Sequence, residues 1–176
     1  MKKYLILTSI LLLSACASGP QIIPRIPFDL AEYSNLPAQG TATVTGQAFI
    51  KAADGNIYYP QNTRARLNPV TSYSKQWYEV HYLQRINIAK ADPRYLEYVR
   101  KVAFDDQGRF RFDNVPEGHY YISAPIFWME ENKLADGSIL MKRKGAFICR
   151  EIQVEAGRTV VMDISQDRTV NMASSQ

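Results

Sequence analysis

The 176-residue sequence predicts a mainly β fold, an antiparallel sandwich of about seven strands with a partly helical insertion. Three observations predict it. Apolar and polar residues alternate with a period of two in several runs after Thr41, and clusters of Gly, Asp and Pro separate those runs. Between Thr71 and Tyr98 the alternation gives way to an aromatic-rich stretch of mixed periodicity.

The first run puts Ala42, Val44, Gly46, Ala48 and Ile50 on one face and Thr41, Thr43, Thr45, Gln47 and Lys51 on the other, the pattern of a half-buried strand. Ala53-Asp54-Gly55-Asn56 supplies a turn. Ala65 and Leu67, set between Arg64, Arg66 and Asn68, form a second short strand closed by Pro69. Val99 to Asp105 reads as another, and Asp105-Asp106-Gln107-Gly108 turns the chain into Arg109-Phe110-Arg111-Phe112-Asp113, with both Phe rings directed inward.

Pro116-Glu117-Gly118 makes the next turn. Beyond it Tyr120, Ile122, Ala124, Ile126 and Trp128 line one face of a long strand, followed by a loop around Asp136-Gly137. Ala146 to Val154 and Arg158 to Ile164 form the last two strands about Glu155-Ala156-Gly157, and residues 166–176 are a polar tail. Within the stretch about 71–98, Val80, Tyr82, Ile86 and Ile88 fit strand alternation, whereas Tyr78, Tyr82, Ile86 and Ala89 fit a helical stripe. An insertion with helical turns is expected, with Pro93 starting one after Asp92 and Tyr95, Leu96 and Tyr98 lying over the sandwich.

The N-terminus has Lys2 and Lys3, an apolar run from Tyr4 to Leu13 too short to span a bilayer, and then small residues, the order of an export signal. Leu13-Ser14-Ala15-Cys16 resembles the lipobox of bacterial lipoproteins. That resemblance implies a signal peptide over 1–15, cleavage before Cys16, and membrane attachment through lipid on the Cys16 thiol and amine. Ala17, where retained lipoproteins carry Asp, implies the outer membrane of the cell envelope. Residues 16–40, with Pro20, Pro24, Pro27 and Pro37, read as a semi-extended tether reaching up to about 70 Å. Ile22, Ile23, Ile26, Phe28, Leu30 and Tyr33 make part of it apolar enough to dock on the domain or on a partner.

Removing 1–15 lowers the basic count from 21 to 19 against 17 acids and the net charge from +4 to +2. With Lys142-Arg143-Lys144 as the longest consecutive basic run, nucleic acid is not an expected partner. Lipidation of Cys16 leaves Cys149 without a disulfide partner in the chain, and its apolar surroundings from Ala146 to Val154 suggest a buried, inert thiol.

Three pieces together resemble the carboxypeptidase regulatory-like domains, which are transthyretin-like (prealbumin-like) sandwiches. They are Val44-Thr45-Gly46-Gln47-Ala48-Phe49; Asp105 to Phe112 leading into Val115-Pro116-Glu117-Gly118-His119-Tyr120-Tyr121; and Val154-Glu155-Ala156-Gly157-Arg158-Thr159-Val160. The resemblance covers about 41–165 and implies a fold of about seven strands, with the 71–98 insertion departing from the compact family pattern. Its motifs are turn and core residues and carry no activity.

A zinc peptidase site would need spaced His and Glu ligands. Gln84 and Ile122 stand three residues after His81 and His119, so His-x-x-Glu is absent at both, as are a nucleophile elbow, a P-loop and a dinucleotide fingerprint. Asp105 and Asp106 fit a turn better than a calcium or acid/base site. No enzyme, cofactor or metal is expected, and a hydrolase with an unrecognised site ranks third among the readings. The first is a lipid-anchored interaction or structural module with an envelope protein as partner, in a secretion apparatus by analogy of fold. The second is a glycan- or peptidoglycan-binding lipoprotein using exposed aromatics, with Trp128 considered beside those of the insertion. The candidate binding residues are Arg64, Arg66, Trp77, Tyr78 and Tyr82, because packing common to the family explains the insertion and its entry least.

Overall fold

The computed structural model describes residues 22–52 and 55–167. In chain order its strands are β1 (Ile22–Ile23), β2 (Ala42–Lys51), β3 (Ile57–Tyr58), β4 (Arg64–Pro69), β5 (Asn87–Ile88), β6 (Arg100–Ala103), β7 (Arg109–Val115), β8 (Gly118–Lys133), β9 (Ile139–Val154), β10 (Thr159–Val161) and β11 (Ile164–Asp167). The helical pieces are α1 (Leu30–Ser34), α2 (Ser72–Gln76), a π-helical turn at Trp77–Leu83 and a 3-10 turn at Pro93–Glu97. Cys16 and its lipobox, the Ala53-Asp54 half of the first turn, and nearly all of the C-terminal tail lie outside the described residues.

The fold is a mainly β sandwich. One sheet is organised on β2, which pairs antiparallel with β7 and β3 and parallel with β10 and β11; the other has the order β6-β4-β8-β9, antiparallel throughout. Period-two alternation decides which faces meet. Val44, Ile50, Phe110, Phe112 and Ile164 from the first sheet pack with Leu67, Ile122, Ile126, Ile148 and Val154 from the second. Each such side chain contributes about 1.5–3 kcal/mol when fully buried, so a register slip of one residue would forfeit most of the core.

The turn before β7 forms as its sequence suggests. The Asp105 carboxylate accepts from the backbone N–H groups of Gln107 and Arg109 at 2.9 and 2.8 Å, and Gly108 takes φ +72°. The Arg109 guanidinium, bonded to the same carboxylate, holds it below the usual range.

Several parts of the architecture differ from the sequence expectation, among them the last strand, expected unbroken from Arg158 to Ile164, which divides into β10 and β11, both parallel to β2. The strands β8 and β9 pair over 16 residues each, past Trp128 to Lys133 and back from Ile139, forming a ribbon with Met129, Leu134, Ile139, Leu140 and Met141 exposed along its distal part. Cross-strand hydrogen bonding continues there after burial has ended. In the insertion neither single periodicity holds: helix runs to Leu83, Arg85 takes φ +61° and stops it, and the two-residue β5 follows. Asp92 and Pro93 begin the 3-10 turn as expected, with the Asp92 side chain accepting from Arg94 N at 3.0 Å.

Residues 22–38 are not a free tether. Within them β1 pairs parallel with β5, and the Gln76 side chain bonds both Pro24 O and Ile26 N. Glu32 accepts from Ser72 N and Ser72 Oγ at 2.7 and 2.6 Å, and Tyr33 is fully buried with its hydroxyl accepting from Thr71 Oγ1 at 2.8 Å. Further on, Arg100 donates to Ala38 O. Of the apolar residues noted in this segment, Tyr33 is buried and Ile23 and Phe28 are half-buried, while Ile22, Ile26 and Leu30 stay exposed, and the reach of an extended chain does not apply to the docked stretch.

The closing strand crosses β2 at Gly46. An ideal Cβ there would lie 1.7 Å from Met162 O, between the stretches where β10 and β11 pair with β2. Gly46→Ala must therefore force the last strand away. A loss of about 2 kcal/mol or more in urea unfolding is expected, whereas a change below about 0.5 kcal/mol would show that this contact does not constrain the fold.

Candidate functional site

The insertion and residues 22–38 lie over the outer face of the β4-β8-β9 sheet. At its entry Thr71 caps α2, with Thr71 N donating to Ser74 Oγ at 2.8 Å and Thr71 Oγ1 accepting from Ser74 N at 3.2 Å. The chain then widens into π-helical turns, in which i→i+5 spacing sets Trp77 as well as Tyr78 beside Tyr82. Trp77 and Tyr82 stack at 5.9 Å, Tyr78 and Tyr82 at 5.4 Å, and Tyr78 stacks on Tyr121 of β8 at 4.3 Å. Tyr82 Oη also accepts the outward N–H of Cys149 on the edge strand β9.

Behind this stack, between Tyr73, Trp77, Tyr95 and the sheet, is a cavity of about 80 Å³. Arg25, Arg66, Asn68 and Ser123 provide its main polar lining, and Phe147 closes one side. A second chamber of about 200 Å³ adjoins it, sharing Arg25, Trp77, Ala91 and Tyr95 and adding His81, Ile88 and Ala89. No carboxylate lines either chamber among the described residues.

Arg25 is held in place by the insertion. Its Nη2 donates to Tyr73 O at 2.8 Å, and its guanidinium lies 3.8 Å over the Tyr73 ring. Buried Nε and Nη1 make no hydrogen bond, and neither does the buried Asn68 Oδ1 of the same cavity. Each unpaired buried polar atom costs about 1–3 kcal/mol, and more when charged. Arg25 and Asn68 thus bring unpaired polar atoms to the lining of one aromatic-walled cavity, closed to water in this arrangement and within reach of a bound polar molecule after a small side-chain movement.

The structure brings only some of the sequence candidates together. Trp77 and Arg66 line the cavity; Arg64 is exposed on the same strand as Arg66 but outside the lining; Tyr78 and Tyr82 spend their faces on the stack. Burial raises the Tyr78 hydroxyl above its ordinary range. Trp128 is a core residue, 8% exposed and stacked on Tyr58, which removes it as a sugar platform. Arg25, Tyr73 and Tyr95 were not among the candidates. One signal did mark Arg25: it is the only basic residue between Lys3 and Lys51, set within an apolar run.

The remaining reactive groups lie elsewhere or alone. Burial pushes the Cys149 thiol up to about 12, consistent with an inert core sulfur. His119 is 3.9 Å from Glu151 on the exposed sheet surface rather than in a cleft, and His81 Nδ1 faces Ile86 O at 3.2 Å.

No family model matches the chain, and no curated protein matches it. Among solved structures the chain is similar to a Pseudomonas aeruginosa protein whose crystal structure is described as that of "a putative carbohydrate binding protein". The two are 27% identical with a TM-score of 0.66, over 81% of this chain and 99% of the other.

The position of Arg25 depends on the docked segment. Tyr33→Ala is expected to remove about 3 kcal/mol of packing and to speed tryptic cleavage after Arg25 by about tenfold or more. Cleavage at the wild-type rate would mean that Tyr33 does not hold this segment down.

Proposed function

We propose that this chain is a non-catalytic, lipid-anchored binding protein of the bacterial cell envelope that takes a glycan into the cleft between the insertion and the β4-β8-β9 sheet. The lipobox at Leu13-Ser14-Ala15-Cys16 supports the anchor, and Ala17 supports the outer membrane as its site. The observation that carries the ligand class is the cleft itself. Trp77 and Tyr95 offer aromatic wall against which the apolar face of a sugar can lie, while Arg25 and Asn68 of the same lining carry unmet hydrogen-bonding capacity. Likeness to a protein described as carbohydrate binding adds to this reading.

A second reading, an envelope protein as partner, draws on the ribbon of β8 and β9. Its exposed Met129, Leu134, Ile139, Leu140 and Met141 make an apolar strip of the kind that meets other proteins. The two readings place the ligand on different parts of the molecule, so variants can separate them.

Full-length lipidated protein in detergent should capture carbohydrate from a glycan array. Tyr95→Ala and Trp77→Ala should each weaken the captured glycan by about tenfold or more, which is about 1.4 kcal/mol, with thermal unfolding monitored alongside. Leu140→Asp should leave glycan capture unchanged. Absence of any captured glycan, or loss of capture in Leu140→Asp alone, would overturn the cleft reading.

A further inference from the structure

Charge in the cleft narrows the class of glycan, an inference that rests on the glycan reading above. Arg25 has no carboxylate partner among the described residues; its contacts are Tyr73 O and the Tyr73 ring. The other cation of the lining is Arg66, and no described acid lines either chamber. Desolvated guanidinium in such a place favours an anion over a neutral hydroxyl, because charge-assisted hydrogen bonds are about twice as strong as neutral ones.

We infer that the inner chamber receives the carboxylate of an acidic sugar, a uronate-type residue, with Arg25 as its cationic partner and Asn68 Oδ1 as acceptor for a neighbouring hydroxyl. The shape agrees with this assignment. Several water-sized groups fit in about 80 Å³, enough for a carboxylate and an adjoining hydroxyl. The ring then extends into the outer chamber, between the shared walls Trp77 and Tyr95. A uronate supplies both complements in one molecule, an anion beside the Arg25 and Arg66 guanidinium groups and an O–H donor for Asn68, and a small side-chain movement opens Arg25 Nε and Nη1 and Asn68 Oδ1 to it.

The stacked guanidinium is also pre-organised. Its bond to Tyr73 O and its place over the Tyr73 ring hold the guanidinium in the lining before any ligand arrives. Lys in its place would keep the charge but lose the planar contact with the ring.

The test is calorimetric titration of the full-length protein with trisaccharides of galacturonate, glucuronate and mannuronate, each as free acid and as methyl ester. The ester keeps the rings and removes the charge. At least one free acid should bind about tenfold or more tightly than its ester, and Arg25→Gln should bring the acid down to the level of the ester. Equal binding of acid and ester by the wild-type protein overturns the carboxylate assignment and leaves the glycan reading standing. Competition by acetate or inorganic phosphate as effective as that of the trisaccharide reduces the site to a simple anion site and overturns it too. Failure of every acid and ester, alongside an array that captures neutral glycans, overturns the acidic class alone; failure of the array as well removes the glycan reading with it.

Discussion

Tyr33 is the contact on which the layer over the second sheet depends. A fully buried tyrosine must place its hydroxyl against a partner, and Thr71 Oγ1 supplies one at the start of the insertion. The same residue, Thr71, caps α2, so the docking of the N-terminal segment and the start of the insertion helix share one polar cluster. Phe28 stacks on Tyr33, Tyr98 tilts against it, and Tyr73 meets Phe28 edge-on. Segments far apart in sequence thereby close into one layer over the second sheet, and that closure sets Arg25 over the Tyr73 ring. The cleft is a consequence of this packing, since residues 22–38 contribute one of its walls.

The sandwich is held by a different constraint. Its strands could pair in several ways, yet the alternation of Ala42, Val44, Ala48 and Ile50 fixes which face of β2 is buried. Gly46 then fixes where the closing strand crosses, because no side chain can stand against Met162 O. On the other sheet, where the insertion rests, Tyr121, Phe147 and the Cys149 N–H meet the aromatics above.

Much of that scaffold was legible in the sequence. Alternation is a local property, so the runs at 42–50, 109–113 and 120–128 and the Asp105–Gly108 turn could be read residue by residue. The length of the β8-β9 ribbon could not, because past Trp128 its strands are held by pairing with each other and not by a buried face. The insertion was harder still. A π-helical turn has no signature at the spacings of an α-helix or a strand, so Trp77, Tyr78 and Tyr82 drew attention as aromatics without revealing that two of them would be consumed in stacking. Arg25 was missed for a related reason. Its importance comes from a segment 48 residues away closing over it, and no local pattern records that.

On the glycan reading, one ligand engages the N-terminal segment and the insertion together. Nuclear magnetic resonance of the full-length protein, following the Arg25 Nε–H and Trp77 indole N–H signals as a captured glycan is added, tests it most directly. If the cleft is the site, both signals move over the same concentration range while the amides of Leu134 to Met141 stay in place. Shifts confined to that distal ribbon, with Arg25 and Trp77 unmoved, would contradict the account.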